Sequence, residues 1–225
     1  MAWRTRVIVA RLDPSRLRFR LDTAFARPLR ADWSLARVPG AAAAAFNAGQ
    51  FLEAMPWGWV VLDGHEFLPP GSGPLATTIA IDSTGAVHWI SADSLTRARP
   101  SRIAWAFQSY PALLDDGTVP VPLRAADRGV DVAHRDARLA LGRLRDGRLL
   151  VVLTRFDALG ETLGFVPFGL TVPEMAALMG ALGCRDAVLL DGGISAQLFV
   201  RDAAGIAHAW RGVRKVPLAL VAISR

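Results

Sequence analysis

The chain has 225 residues, 52% of them hydrophobic and 20% charged, with a formal net charge of +6. This length and composition are those of a globular protein that buries a substantial core, and they exclude a disordered or fibrous chain. No run of apolar residues approaches the roughly 20 that a membrane-spanning helix needs.

The positive charge is spread along the chain rather than gathered in one block. Lys215 is the only lysine, so nearly all of the positive charge is arginine, interleaved with aspartate and glutamate. The sequence has no basic cluster and no recognisable nucleic-acid motif, which predicts that nucleic acid is not a partner. A diffuse positive field favours an anionic substrate instead.

Cysteine and histidine usage gives no sign of a metal or redox centre. Cys184 is the only cysteine, which excludes an internal disulfide and a thiolate cluster, and we interpret it as a small buried hydrophobic residue. The four histidines lack the spacing of a zinc motif. We therefore predict no cofactor and no dedicated metal site, and leave open a divalent ion held by carboxylates that are distant in the sequence.

The first residues do not identify a compartment. They lack the apolar segment and small-residue cleavage site of a signal peptide. A protein whose leader has been removed has the same kind of start. The expected compartment is therefore periplasmic or extracellular if a leader was removed, and cytoplasmic otherwise.

Most of the chain consists of short apolar runs separated by turn residues, a pattern typical of antiparallel hairpins. The first predicted hairpin joins residues 7–12 and 17–21 around the turn Asp13-Pro14-Ser15. Three more hairpins are predicted over residues 57–67, 77–91 and 137–154. Further strands are predicted at residues 41–46, 103–107, 187–190 and 216–223, and surface segments at 94–101 and 118–135.

One helix is clear, over residues 171–182. Thr171 and Glu174 have the spacing of a capping box, apolar residues recur at helical spacing, and Gly183 ends the pattern. Glu174 is therefore interpreted as a cap rather than a catalytic acid. With a short helical turn in residues 32–38, these elements predict an α+β fold: a mixed, mostly antiparallel sheet built from hairpins, with one clear helix and a few short ones.

A polar loop follows the apolar run at residues 187–190. Asp191 comes first, then the pair Gly192-Gly193, then Ser195. Adjacent glycines permit positive φ and let another group approach the backbone closely. The loop is therefore a candidate site that presents Asp191 and Ser195. The alternative is an ordinary hairpin in which Asp-Gly is turn chemistry alone.

Two more apolar runs end in polar residues. Asn47 and Gly49 follow the run at residues 41–46, and Gln108 follows the run at 103–107. The two side-chain amides are candidates for binding a ligand. The alternative for Asn47 is that it stabilises its own turn.

Several segments together resemble the phosphodiester glycosidase family. In chain order they are RLDPSRLRFRL, FNAGQF, QSYPALLDDG, ARLALGRLRDGRLLVV with Arg138, LTVPEMAALMGALGCRDAVLLDGGISAQL and VRKVPLAL. The resemblance extends over about residues 6–223. It implies a single domain of this kind over residues 1–225.

The sequence departs from the family pattern at positions near the expected pocket. Ala48 and Gln50 replace Gly and Phe of the first loop, and Tyr110 stands in place of Gly. Leu139 and Ile194 replace a Thr and a third Gly. Bulkier loop residues of this kind affect which sugar fits more than they affect the fold.

The resemblance implies a hydrolase that cleaves the glycosidic bond of a sugar-1-phosphodiester, in a small molecule or a glycan. Asp191 is then the nucleophile or the base for water, and Arg138 binds the phosphate. The residues alone favour a surface arginine at position 138, and the family position reverses this interpretation. The remaining substrate-binding candidates are Asn47, Gly49, Gln108, Gly192, Gly193 and Ser195.

Two alternative functions stay open at this stage. The same fold can serve as a non-catalytic module that binds an envelope polysaccharide or a sugar phosphate. It can also serve as a hydrolase of another phosphodiester or glycoside that acts through Asp191. An assay for released product separates the binding module from both enzymes.

Overall fold

The computed structural model describes residues 5–26, 30–124, 130–156 and 169–225. The strands are β1 Thr5–Leu12, β2 Leu17–Thr23, β3 Phe25–Ala26, β4 Arg30–Ala31, β5 Ala42–Asn47, β6 Phe51–Leu52, β7 Met55–Pro56, β8 Val60–Leu62, β9 His65–Leu68, β10 Thr77–Asp82, β11 Val87–Ser91, β12 Ile103–Ser109, β13 Ala112–Leu114, β14 Leu139–Leu144, β15 Leu149–Phe156, β16 Cys184–Leu190, β17 Leu198–Arg201, β18 Ala207–Trp210 and β19 Leu218–Ser224. The helices are α1 Ala92–Arg97, α2 Val121–Arg124 and α3 Val172–Ala181, and short 3-10 turns cover Leu35–Arg37 and Gly193–Ser195.

Three five-stranded sheets contain most of these strands. Sheet I has the order β1-β15-β14-β16-β13, sheet II the order β11-β10-β12-β8-β9, and sheet III the order β18-β17-β5-β19-β2. Two ribbons, β3-β4 and β6-β7, stand apart. Every strand pairing among the described residues is antiparallel. The predicted antiparallel hairpin architecture is confirmed in outline, but it forms three sheets instead of one mixed sheet, and the fold is largely β.

One hydrophobic cluster draws on all three sheets. Its members alternate along the strands, as a face with period two requires. They include Leu149, Val151 and Leu153 of sheet I, Ile79 and Ile81 of sheet II, and Leu218 and Leu220 of sheet III. Because all three sheets share this core, the polar loops that follow their strands can lie close together at its edge.

Sheets I and III are also covered on their opposite faces. Met179 of α3 packs with Leu189 of sheet I in a second cluster. Trp33, which is fully buried, packs with Val221 on the outer side of sheet III. Because β16 is buried on both faces, residues 187–190 form a continuous apolar run rather than an alternating one.

Helix α3 begins as predicted. The Thr171 hydroxyl accepts a hydrogen bond from the Glu174 N–H (3.3 Å), and the Glu174 carboxylate accepts one from the Thr171 N–H (2.9 Å). Glu174 also pairs with Arg135, with 2.6 Å between Oε1 and Nη2. The interpretation of Glu174 as a cap is therefore confirmed. Cys184 is likewise confirmed as a buried free thiol, and burial raises its pKa to about 11.

Three of the four predicted hairpins are confirmed, namely β8-β9, β10-β11 and β14-β15. In the first of them Asp63 and Gly64 have φ values of 49° and 80°. Two consecutive positive φ values are what a type I′ turn requires. The predicted helical turn in residues 32–38 is present as the 3-10 turn Leu35–Arg37.

The predicted opening hairpin is wrong. β1 and β2 form, and the Arg16 N–H closes the turn between them on the Asp13 carbonyl oxygen (3.0 Å). However, β1 pairs over all eight of its residues with β15 in sheet I, and β2 pairs over its full length with β19 in sheet III. The turn therefore passes the chain between two sheets, because each strand finds a full-length partner that comes later in the sequence.

The two predicted surface segments contain short helices. Helix α1 includes the first residues of segment 94–101, and the Ser91 hydroxyl caps it by accepting a hydrogen bond from the Ser94 N–H. Segment 118–135 contains α2, and its residues 125–129 lie outside the described part of the chain. None of the helices in the described ranges is long and apolar enough to cross a membrane.

Candidate active site

Asp191 follows directly on β16, at the edge where sheets I and III meet. Its backbone N–H donates a hydrogen bond to the Gly49 carbonyl oxygen (3.0 Å). Its carbonyl oxygen accepts one from the side-chain amide of Asn47 (2.6 Å). Because Asn47 ends β5 of sheet III, these bonds fasten the ends of the two sheets to each other at Asp191.

Asn47 is buried, and its amide holds the loop that contains Asp191. Its Nδ2 donates to the carbonyl oxygens of Asp191 (2.6 Å) and Ser195 (3.2 Å). Its Oδ1 accepts from the Gln197 N–H (3.0 Å). Both amide hydrogens are therefore used within the protein, so Asn47 positions the loop. Its predicted contact with substrate stays a prediction.

Gly49 and Gln108 meet through their backbones. Gly49 has a φ of +75°, and a Cβ at this residue would lie 2.8 Å from the Gln108 carbonyl oxygen. The Gln108 side chain is buried, and its Oε1 accepts hydrogen bonds from the N–H groups of Trp59 (2.9 Å) and Gly71 (2.8 Å). Gln108 therefore fastens two loops near the site, and no contact with Asp191 is seen for its side chain in the described residues.

The two glycines after Asp191 let the loop pack against the segment that precedes β14. A Cβ on Gly192 would lie 2.6 Å from the Ala137 carbonyl oxygen, and one on Gly193 would lie 2.7 Å from Oδ2 of Asp136. Gly193 also has a φ of +57° and donates its N–H to the Ala137 carbonyl oxygen (2.7 Å). The close approach that the sequence predicts for this pair therefore brings Asp136 beside the loop.

The Asp191 carboxylate sits in a poorly solvated position. Its Oδ2 is buried and has no hydrogen-bond partner among the described residues. Burial raises the pKa of Asp191 to about 6. A hydrogen bond with Ser195 and the charge of Arg214 lower this pKa, and the charge of Asp136 raises it. A carboxylate perturbed in this way is typical of functional sites.

Asp136 is a second carboxylate next to the loop. Its Oδ1 accepts a hydrogen bond from the Ala137 N–H (2.8 Å), and its Oδ2 lies 3.9 Å from Nε2 of His134. Burial raises the pKa of Asp136, while the bond from Ala137 and the nearby charges of Arg138 and His134 oppose the rise. Asp136 is therefore a second carboxylate close enough for its charge to raise the pKa of Asp191.

Arg138 directly precedes β14, whose first residue Leu139 pairs with Leu190, the residue before Asp191. A Cβ on Gly192 would lie 3.6 Å from the Arg138 Cα, so the backbone of Arg138 runs beside the glycine loop. Its Nε donates to the Leu170 carbonyl oxygen (2.9 Å), and its Nη2 donates to the His134 carbonyl oxygen (2.5 Å). Burial lowers the pKa of Arg138, which the charge of Asp136 opposes. One edge of the guanidinium is therefore occupied inside the protein, and Nη1 takes no part in these bonds.

Arg214 brings another guanidinium towards Asp191. Its backbone N–H donates to the Ile194 carbonyl oxygen (3.0 Å), which holds it against the glycine loop. Its exposed side chain lies over the Phe51 ring, 4.8 Å from the centroid, and Nη2 lies 3.4 Å from the Glu53 carbonyl oxygen. This is the cation whose charge lowers the pKa of Asp191.

A model of the phosphodiester glycosidase family matches residues 40–223. The chain belongs to the phosphodiester glycosidase family. This confirms the family resemblance seen in the sequence. The matched range contains every site residue described above, from Asn47 to Arg214.

Solved structures share the fold of this family member. The catalytic domain of zebrafish N-acetylglucosamine-1-phosphodiester alpha-N-acetylglucosaminidase, auto-inhibited by its pro-peptide, aligns with a TM-score of 0.64 at 15% identity, over 99% of this chain and 84% of that chain. A hypothetical protein from Synechocystis aligns with a TM-score of 0.62 at 16% identity, over 99% of this chain but only 62% of that chain. A protein from Burkholderia pseudomallei K96243 described as exported gives 0.63 at 17% identity, over 96% and 73%. At such identities the likeness establishes the fold alone. No curated protein sequence matches the chain.

The structure brings most of the predicted site residues of this phosphodiester glycosidase family member to one place. The residues that meet there are Asn47, Gly49, Arg138, Asp191, Gly192, Gly193 and Ser195. The Gln108 side chain serves adjacent loops instead. Within the described ranges, no three histidine, cysteine, aspartate or glutamate side chains converge in a way that could hold a metal ion.

Asp136 and Arg214 were missed by sequence reasoning. Arg214 lies in the segment VRKVPLAL and Asp136 two residues before Arg138, so both lie in or beside segments that carry the family resemblance. Arg214 is the arginine of the Arg-x-Val-Pro pattern in that segment, but the pattern alone gave it no role, and Asp136 has no distinguishing neighbour in sequence. Only the packing of Gly193 on Asp136 and of Arg214 on Ile194 separates them from surface charges.

Proposed function

We propose that this phosphodiester glycosidase family member hydrolyses the glycosidic bond of a sugar-1-phosphodiester at Asp191. The observation that supports the proposal best is the buried Oδ2 of Asp191, which lacks a hydrogen-bond partner among the described residues. An unpartnered buried oxygen destabilises the resting protein. It interacts most favourably with a positive charge that develops beside it, as in an oxocarbenium-like transition state.

In the proposed reaction the bond between the anomeric carbon and the phosphate oxygen breaks, and its electron pair stays on the phosphate. Water forms the new bond to the carbon and gives up a proton. Asp191 acts as the nucleophile or as the base for this water, and Asp136 is the second carboxylate for proton transfer. Because the leaving phosphate monoester is stable as an anion, departure needs little assistance from an acid.

Two arginines are proposed to bind the phosphate. Arg214 is exposed and is held over Phe51, so its guanidinium is accessible to an anion next to Asp191. Arg138 contributes through Nη1, since its Nε and Nη2 bind backbone carbonyl oxygens. A guanidinium suits this role because its planar fork matches the geometry of phosphate oxygens.

The loop over residues 191–195 supplies the remaining contacts of the proposed site. Ser195 hydrogen-bonds the Asp191 carboxylate and fixes its orientation. The N–H of Gly193 is already donated to the Ala137 carbonyl oxygen, so only the N–H of Gly192 is proposed as a backbone donor to substrate.

The identity of the sugar and the cellular compartment are proposed from the similar solved structures. The zebrafish relative is named for an N-acetylglucosamine-1-phosphodiester, so this sugar is the first to test. The Burkholderia protein is described as exported, so a location outside the cytoplasm is proposed for this protein too. Cell fractionation tests this location.

The deciding experiment is a panel of chromogenic glycosyl phosphodiesters, assayed with and without chelator. We expect the wild-type protein to release product and Asp191→Asn to release it at least about a hundredfold more slowly, with Asp63→Asn in an exposed turn as the matched control. If the protein binds sugar phosphates saturably but releases product from none of the esters, it is a binding module and not a hydrolase. Loss of turnover in chelator would reveal a required metal ion.

A further inference from the structure

A hollow of about 230 Å³ is lined by residues that hydrogen-bond to Gln50, in the loop that follows β5. Trp57 and Tyr110 line it, with their rings edge to face and their centroids 4.8 Å apart. Residues 72–76 and Val130 complete the described lining, which contains no charged side chain. We call this cavity the Trp57–Tyr110 hollow.

Gln50 connects the Trp57–Tyr110 hollow to Asp191. Its carbonyl oxygen accepts a hydrogen bond from the Trp57 N–H (2.8 Å), and its Nε2 donates to the Tyr110 carbonyl oxygen (3.0 Å). The preceding residue, Gly49, accepts the hydrogen bond from the Asp191 N–H (3.0 Å). Two consecutive residues therefore hold the aromatic pair on one side and the proposed catalytic residue on the other.

The β6-β7 ribbon connects the hollow to the proposed phosphate site. Phe51, which lies under the guanidinium of Arg214, pairs with Pro56, the residue before Trp57. A phosphate held at Arg214 thus lies at one side of this ribbon, and the hollow lies at its base.

The chemistry of the hollow selects an apolar group. Its volume is below the roughly 300–1,000 Å³ of a pocket that encloses a whole drug-sized ligand, so it takes a fragment of one. Aromatic rings and small apolar side chains gain most by removing alkyl or aryl surface from water. A charged group there would lose its hydration without a compensating ion pair.

We propose that the Trp57–Tyr110 hollow binds an alkyl or aryl aglycone, the group esterified to the phosphate of the substrate. This inference rests on the proposed function and specifies its substrate class. Gln50 and Tyr110 are also two of the positions at which the sequence departs from the family pattern, and the Gln50 side-chain amide donates a hydrogen bond to the Tyr110 carbonyl oxygen. The loops that hold this hollow therefore include positions at which this chain differs from the family pattern.

The test uses glycosyl phosphodiesters that differ only in the aglycone: methyl, butyl, hexyl, phenyl and 2-carboxyethyl. For the wild-type protein we expect kcat/KM to rise about two- to fourfold per methylene until the hollow is filled, because each buried methylene contributes about a fourfold gain at most. The carboxyethyl ester should be the poorest substrate. Alkyl phosphates should show the same order as competitive inhibitors.

Substitutions then locate the effect. Trp57→Ala and Tyr110→Gly should flatten the chain-length series, while turnover of the methyl ester falls by less than about threefold. Leu52→Ala, an exposed residue on the same ribbon, is the matched control and should leave the series unchanged. If a variant does not fold, the wild-type rate series and the inhibitor series decide alone.

The outcomes distinguish the inference from the proposed function. Cleavage of all esters at one rate overturns the aglycone assignment and leaves the proposed function standing. A parallel series of substrates carries acyl chains of increasing length on the sugar and a methyl group on the phosphate. If kcat/KM rises with the length of these acyl chains instead, the aglycone assignment is also overturned. Cleavage of no ester overturns the proposed function and the inference with it. A rising series that both variants flatten supports the assignment.

Discussion

The backbone N–H of Asp191 donates a hydrogen bond to the carbonyl oxygen of Gly49 across 3.0 Å. This bond joins the end of β16 in sheet I to the loop that follows β5 in sheet III. Gly49 cannot be replaced without strain, because its φ is +75° and a Cβ would meet the Gln108 carbonyl oxygen at 2.8 Å. The position of the proposed catalytic carboxylate is thus set by backbone geometry in two sheets.

Asp191→Asn should lower kcat by about 10²–10⁴-fold, since it removes the carboxylate that takes part in the chemistry. The same variant should be more stable than the wild type at pH 7. The pKa of Asp191 rises from an ordinary 3.8 to about 6 on folding, so the wild type loses stability as the pH rises from about 4 to 6. Denaturant unfolding should therefore favour the variant by about 1–3 kcal/mol at pH 7 and by nothing at pH 3.5. Equal stability at both pH values would contradict the burial of this charge.

The pH profile of kcat/KM should have an acidic limb near pH 6, because Asp191 must be ionised to act. Asp136→Asn should move this limb to lower pH, since the negative charge of Asp136 raises the pKa of Asp191. Asp186→Asn, at the far end of β16, removes a carboxylate from the same strand and should leave the limb in place. If the acidic limb did not shift in Asp136→Asn, the charge of Asp136 would not be acting on the pKa of Asp191.

The two arginines should respond differently to the same substitution. Arg214→Lys should raise KM with only a small change in Tm, because its side chain is exposed and a lysine cannot present the fork. Arg138→Lys should lower Tm as well, because it loses the bonds to Leu170 and His134. Arg211→Lys, an exposed neighbour in the same loop, serves as the control. A normal KM in Arg214→Lys would remove Arg214 from the phosphate site.

Gly193→Ala should be destabilised for two reasons that can be separated. A β-carbon there is strained by the φ of +57° and would also lie 2.7 Å from Oδ2 of Asp136. Gly205→Ala has a φ of +81° but nothing within 4 Å, so it measures the backbone strain alone, about 1 kcal/mol. We expect Gly193→Ala to lose more stability than this control in thermal unfolding, and to lose activity. Equal losses would mean that Asp136 moves away freely.

Asn47→Asp should cost more stability than Asn47→Ala, although aspartate has nearly the same shape. The amide donates to two carbonyl oxygens, and a carboxylate would place an acceptor against them. A loss of about 2–4 kcal/mol is expected from the unmatched groups, measured by denaturant unfolding. If the aspartate variant were as stable as the wild type, the amide would not be holding the loop.

Local elements were predictable where neighbouring residues determine the geometry. The capping box of Thr171 and Glu174 and the turn at Asp63-Gly64 each depend on residues close in sequence, and both appear in the structure. The partner of β1 was not predictable in the same way. β15 lies more than a hundred residues away, and nothing in the turn Asp13-Pro14-Ser15 favours one pairing over the other.

The candidate site shows the same division. The loop of Asp191 could be found because an apolar run, an acidic residue and two glycines are adjacent in sequence. Asp136 and Arg214 reach the loop only through contacts made after folding, with Gly193 and Ile194. The sequence also could not show that the amides of Asn47 and Gln108 are used for internal hydrogen bonds.

The double-sided burial of β16 has a consequence for engineering. Asp191 projects from the end of a strand that is packed on both faces, whereas Gln50, Trp57 and Tyr110 stand on loops at its margin. We therefore expect that these loops can be replaced by those of a relative without displacing the Asp191 carboxylate. A chimaera that receives another protein's 50–57 segment and its residue 110 should acquire the donor's preference for the leaving group and retain its own catalytic carboxylate.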